Sequence, residues 1–140
     1  MNPNGISRIA MCLEYDGSSY HGWQIQKGVV TVQETLEGAV SSVADEQIQV
    51  ITAGRTDAGV HATGQIVHYD TRSNRSGQGW LRGINSNLPE SVVVSWVLPV
   101  PATFHARYSA LTRSYRYVLL NRSVRPTYLS GRVSWDYRPL

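Results

Sequence analysis

Asp57 and Arg55 stand two residues apart in Gly54-Arg55-Thr56-Asp57-Ala58-Gly59, bracketed by glycines. A carboxylate can serve as a general base or as a covalent nucleophile. The nucleophile must remain ionised, and a nearby guanidinium favours that state. Glycines let the chain turn sharply and let a ligand approach the backbone closely. The stretch follows a strand-like run, Gln47-Ile48-Gln49-Val50-Ile51-Thr52. Asp57 is therefore expected at a strand end, held firmly yet accessible. Its side chain and that of Arg55 share a side only if the loop stays pleated. The plainer alternative is a turn in which Asp57 caps nearby amides. Tyr115 is the second residue of interest. It lies in Arg113-Ser114-Tyr115-Arg116-Tyr117, which alternates aromatics with Arg116. That pattern suits either an aromatic partner for the carboxylate or a half-buried strand. A glycosidase-like pair would need a second carboxylate at a set distance. Glu14 and Asp16 end an apolar run, but Asp16 opens the turn-forming Asp16-Gly17-Ser18-Ser19.

Other chemistries lack their residues. His21, His61, His68 and His105 are scattered and there is one cysteine, so no metal site is expected. There is no phosphate-binding loop and no dinucleotide fingerprint. A single cysteine forbids an internal disulfide and suits a reducing, cytoplasmic setting. Cys12 itself lies in a strand-like apolar run and reads as packing. No apolar run approaches the ~20 residues that span a bilayer, and the first residues lack the regions of a signal peptide.

Charge is distributed unevenly. Residues 1–104 hold six Lys/Arg against nine Asp/Glu, whereas residues 105–140 hold seven arginines against Asp136 alone. Five tyrosines (Tyr108, Tyr115, Tyr117, Tyr128, Tyr137) and Trp135 are interleaved with those arginines. Arginine grips phosphate with a planar fork and stacks on bases. Basic groups mixed with aromatics suit a polyanion that carries bases, or else form a solvated basic face over buried aromatics.

The elements that must position these residues follow from periodicity. Ser7–Tyr15 reads as a strand. Thr31-Val32-Gln33-Glu34 is a capping box, followed by Val32, Leu36, Ala39, Val40 and Val43 at helical spacing, ending near Ala44. Strands are expected at 47–53, 65–70 and 91–98, and a short helix at 79–88. A further strand is expected at 113–121, with Val124–Pro126 and Arg138–Leu140 as weak extended segments. The length of 140 residues fits a single domain. The order β-α-β-β-α-β predicts an α+β, ferredoxin-like split β-α-β antiparallel sheet, with helices on one face and one additional strand.

Several segments together resemble the tRNA pseudouridine synthases of the TruA family. They are Leu13-Glu14-Tyr15-Asp16-Gly17, Tyr20–Gln26, Thr31–Glu37, Ala53–Ala62, Gly64-Gln65, Gly83–Pro89, Phe104–Arg107 and Tyr115-Arg116-Tyr117. The resemblance runs from about Ile9 to the end of the chain, and the Asp57 loop is its most specific part. It implies that Asp57 is the nucleophile, that Tyr115 stacks on the target uracil and helps deprotonation, and that Arg55 helps hold the flipped nucleotide. It implies an isomerase acting on tRNA at uridines 38, 39 and 40 of the anticodon stem-loop, without cofactor or metal. The family enzyme has two similar domains and forms homodimers. The chain is therefore expected to match the first domain, to lack the second, and to self-associate or be poorly soluble. The competing expectation is a non-catalytic RNA-binding module on the same sheet, needing only the basic, tyrosine-rich segment.

Overall fold

In a computed structural model, residues 5–127, 129 and 131–139 are described. Tyr128 and Leu140 of the segments noted above lie outside them. Four strands make an antiparallel sheet in the order β2-β3-β1-β4. These are β1 (Ser7–Tyr15), β2 (Ile51–Thr52), β3 (Ala62–Thr71) and β4 (Val92–Val100), with helices α1 (Val32–Ala44) and α2 (Gly77–Ser86). This is the expected ferredoxin-like split β-α-β arrangement. The central strand β1 pairs with β3 through Met11↔Val67 and with β4 through Met11↔Val97.

Alternation along β1 decides the layers. Ile9, Met11, Leu13 and Tyr15 are buried in one core with Val32, Leu36, Ala39 and Val40 of α1 and Trp80 and Ile84 of α2. Thr31 caps α1 by accepting the Glu34 N–H at 3.4 Å, and Asp45 ends it in the left-handed region at φ 55°. The opposite sheet face carries Cys12, His68, Trp96 and Leu98 by strand parity. Cys12 is half-buried there, where a fully packed position was expected.

Several elements differ from their expected bounds: β3 begins three residues before the strand expected at 65–70, β4 runs two residues past the one expected at 91–98, and three others change more. The strand expected at 47–53 is reduced to Ile51–Thr52. Ile48 and Val50 are buried, but their N–H groups bond to Ser41 Oγ and Glu37 Oε2 of α1, at 2.9 Å each. The chain thus turns its hydrogen bonds to the helix before reaching the sheet, which blunts the edge. Helix α2 starts two residues early because Ser76 is its cap, accepting the Gly79 N–H at 2.9 Å. The expected strand 113–121 survives only as β5 (Leu119–Asn121). It pairs in parallel with β6 (Ser134–Asp136), in a separate two-stranded sheet, instead of extending the main one. Val124–Pro126 forms no strand.

Asn85, an expected helix-end marker, has a larger role. Its amide donates to Val94 O at 2.9 Å and accepts from Val94 N at 2.8 Å. The register of β1 and β4 slips between Cys12 and Leu13 beside this point. Asn85 therefore closes backbone groups on the outer edge of β4. Among the described residues, no helix is long and apolar enough to cross a membrane.

Candidate active site

Residues 53–61 connect β2 to β3 at the end of the sheet where β1 also finishes. The loop has no regular structure, yet its backbone is fastened along its length. Ala53 N–H still bonds to Ile66 O at 2.9 Å, continuing the β2–β3 ladder by one step. Gly54 O accepts from the Thr52 hydroxyl at 2.9 Å and from Gln65 Nε2 at 2.6 Å. Thr56 is held through its carbonyl by Trp23 N–H at 3.0 Å and through its hydroxyl by Tyr15 at 2.7 Å. Gly59 N–H bonds to Tyr20 O at 3.2 Å, and Val60 N–H closes a turn onto Asp57 O at 3.1 Å.

Two glycines of the preceding segment allow this approach. Gly22 has φ 85°, and a Cβ there would lie 2.8 Å from Thr56 O and 3.2 Å from Asp57 C. A Cβ at Gly17 would lie 2.6 Å from Val60 C and overlap its carbonyl. The loop is thus pressed onto the 17–23 segment, with Trp23 buried behind it.

The fixed backbone presents exposed side chains. Asp57 and Arg55 are both exposed, and among the described residues they form no ion pair with each other. The loop does not continue the pleat, so alternation does not bring them together. Nor does Asp57 act as a cap through its side chain: its backbone carbonyl makes the turn. Asp16 does behave as a turn residue, accepting Ser18 N–H at 3.0 Å. Its other oxygen meets Arg132 at 2.7 Å, and that guanidinium holds its carboxyl well below the usual carboxylate range. Asp16 is thereby committed to structure.

Tyr115 belongs to no strand and is 73% exposed, so the core-facing strand reading of 113–117 does not hold. Its hydroxyl nevertheless reaches the loop, lying 3.5 Å from the position of a Cβ on Gly54. Arg113 brings it there. The Arg113 guanidinium donates to Ala53 O at 2.7 Å and Arg107 O at 2.9 Å, fastening the basic segment to the start of the loop. The structure thus places Tyr115 beside the loop that carries Arg55 and Asp57. Arg113 was not singled out from sequence, because its contact with the loop is to a backbone atom 60 residues away. Among the described residues, no group of His, Cys, Asp and Glu could hold a metal ion.

A family model described as tRNA pseudouridine synthase matches residues 11–109, a span that includes the whole Asp57 loop. The chain belongs to this tRNA pseudouridine synthase family. It is similar to proteins named tRNA pseudouridine synthase A. The Legionella pneumophila (strain Lens) protein is 53% identical over 133 residues, covering 95% of this chain and 51% of the relative. The Klebsiella pneumoniae subsp. pneumoniae protein is 54% identical over 140 residues, covering 100% of this chain and 52% of the relative. The Pseudomonas aeruginosa protein is 53% identical over 137 residues, covering 97% and 48%. The chain therefore spans about half the length of the curated relatives it matches. Tyr115 lies beyond the span of the family model but inside the match to the Klebsiella relative, which covers all of this chain.

Proposed function

We propose that this chain is the nucleophile-bearing half of a tRNA pseudouridine synthase. Asp57 is the nucleophile, Tyr115 the aromatic partner of the target uracil, and Arg55 the cation that helps hold the nucleotide out of its stack. The observation that carries this reading is an exposed carboxylate on a fastened loop, with a tyrosine hydroxyl beside the same loop.

The reaction moves a base without changing composition. The bond from uracil N1 to ribose C1′ breaks, the base turns, and C5 bonds to C1′. C5 then gives up its proton and N1 regains one. Atoms and oxidation level balance, so the isomerisation calls for no redox group. A carboxylate can assist by adding to C6 of the base or by capturing C1′ as the base departs. Tyr115, with its ring in solvent, can stack on the turned base, and its hydroxyl can relay the C5 proton.

The substrate is uridine at positions 38, 39 and 40 of the tRNA anticodon stem-loop. A stem uridine must be flipped out, at about a few kcal/mol. Phosphate contacts from the arginine-rich segment 105–138 offset that cost. A second half completes the cleft around the base, and the working enzyme is a cytoplasmic homodimer.

The test is pseudouridine formation on an unmodified tRNA, comparing the parent chain with Asp57→Asn, each alone and with a second half added. Product from the parent only, with RNA affinity unchanged in the variant, is expected. Equal product from both would overturn the role of Asp57. If neither makes product and only arginine substitutions weaken RNA binding, the chain is a non-catalytic RNA-binding module.

A further inference from the structure

His61 ends the Asp57 loop, and both of its ring nitrogens are engaged. Nδ1 accepts the Gly17 N–H at 2.9 Å, and Nε2 meets the carbonyl of Gly131. One tautomer of the neutral ring satisfies both bonds, with the lone pair on Nδ1 and the proton on Nε2. The ring therefore joins three parts of the chain: the loop end, the turn after β1, and Gly131 of the basic segment.

Each attachment has a mechanical consequence. Gly17 lies against the Val60 carbonyl so closely that no Cβ fits between them. Val60 in turn donates to Asp57 O at 3.1 Å. Holding Gly17 thus holds the turn on which Asp57 sits. On the other side, Gly131 adopts φ 81° and packs on Ser18, with a Cβ position 3.3 Å from Ser18 Oγ. Arg132 reinforces that seat through its 2.7 Å ion pair with Asp16. Asp16 Oδ1 lies 3.2 Å from His61 Nδ1, but with the Nδ1 lone pair taken by the Gly17 N–H this approach adds no hydrogen bond to the clamp.

We infer that His61 is a positioning residue for Asp57. Its imidazole clamps the 57–60 turn against Gly17 and fastens Gly131, next to Arg132, to the same point. The clamp complements the Arg113 contact at the other end of the loop, so the basic segment is tied down on both sides of Asp57. This inference rests on the reading of Asp57 as nucleophile; the clamp itself rests on geometry alone.

The substitutions separate the two bonds. Asn at 61 can accept from Gly17 but is too short for Gly131. Gln can reach towards Gly131 but leaves Gly17 unpaired, and Ala removes both. Amide hydrogen exchange on the 140-residue chain reads the clamp directly. In His61→Ala, exchange at Gly17, Gly59 and Val60 is expected to quicken at least about tenfold, a change of ~1.4 kcal/mol in local opening. Val94, held by Asn85 elsewhere, should not change. His61→Asn should restore protection at Gly17 and Val60, and His61→Gln should not. Unchanged exchange at Gly59 and Val60 in His61→Ala, or quickening spread evenly to Val94, would overturn the clamp.

A second readout follows turnover on an anticodon stem-loop. His61→Ala should lower kcat at least about tenfold with KM within about twofold, and His61→Asn should recover most of it. Equal kcat in parent and His61→Ala would overturn the positioning role. If the parent makes no product, the exchange pattern decides. Asp57→Asn runs beside these variants: activity retained there rejects the nucleophile reading while leaving the exchange result to judge the clamp.

Discussion

Gly22 offers the sharpest test of the idea that the Asp57 loop is held by steric fit. Replacing it with alanine adds one methyl group at a residue with φ 85°. The left-handed conformation costs a non-glycine residue about 1–2 kcal/mol. The new Cβ would also meet Thr56 O at 2.8 Å, Asp57 C at 3.2 Å and Ala58 N at 3.3 Å. These are backbone atoms, so they cannot swing aside, and such overpacking typically costs about 1–3 kcal/mol. The sum is about 2–5 kcal/mol. With a urea m-value of about 2 kcal/mol/M, the unfolding midpoint should fall by roughly 1–2.5 M. Gly28→Ala isolates the first contribution, because Gly28 has φ 82° but nothing within 4 Å of its Cβ position. Gly38→Ala, in the exposed middle of α1 with open space around it, should stabilise by about 0.5–1 kcal/mol. Where turnover is measurable, Gly22→Ala should lose about tenfold or more, since sub-ångström displacement of a reacting group is costly. Equal unfolding midpoints for Gly22→Ala and Gly28→Ala would refute the tight contact and with it the cradle.

Glu37→Ala should destabilise by about 1–3 kcal/mol in urea unfolding, because buried Val50 would lose the acceptor of its N–H. Stability should also fall as pH drops from about 6.5 to about 4. Burial lowers the His68 pKa from 6.5 to about 4, so only the unfolded chain takes up that proton in this window. The loss should reach up to about 3 kcal/mol, read as unfolding midpoint against pH. Asp16, Asp70 and Glu46 have carboxyls held below their usual range, so their contribution disappears only at more acid pH. Arg116→Ala should weaken stem-loop RNA binding and reduce its salt slope by about 1 without altering unfolding. Arg132→Ala should instead loosen Gly131 and residue 132, visible as faster amide exchange at those two positions, because the Arg132 guanidinium is paired with Asp16.

The main sheet was legible because local signals agreed with one another. Ser7–Tyr15 alternates, Thr31 and Glu34 mark the start of a helix, and Val92, Val93, Val94 and Val97 are β-branched, so each element carried its own mark. What misled was local pattern without knowledge of partners. Gln47–Val50 alternates like a strand, and its buried residues do face inward, but the matching hydrogen bonds come from Glu37 and Ser41 of α1. Arg113–Tyr117 alternates equally well, yet Arg113 is drawn to Ala53 O and the tyrosines remain in solvent. The start of α2 was missed because the Ser76 cap lies inside a polar, turn-rich run where many residues would serve. At the site, the exposed position of Asp57 could be read from glycines and strand order. The contacts of His61 could not, since they join Gly17 and Gly131 across 44 and 70 residues.

The loop divides its polar groups in a way that bears on how the proposed nucleophile can be both fixed and free. A carboxylate held by direct hydrogen bonds is well placed but has lone pairs occupied, as Asp16 shows with Ser18 and Arg132. Asp57 is handled differently. Tyr15, Thr52, Gln65 and His61 spend their polar atoms on backbone groups or hydroxyls of the loop and its flanks. Gly17 and Gly22 supply close contact without side chains. The direction of the Asp57 side chain is thereby set through its own main chain, while its oxygens stay in solvent for a substrate to meet. This arrangement makes the backbone partners, more than neighbours of the carboxylate, the positions where substitution should reduce turnover without abolishing it. Asp57→Asn should remove the reaction outright, whereas Tyr15→Phe, which deletes the 2.7 Å bond to Thr56 and the longer 3.5 Å bond from Gln65 Nε2, should leave a slower enzyme that binds RNA normally.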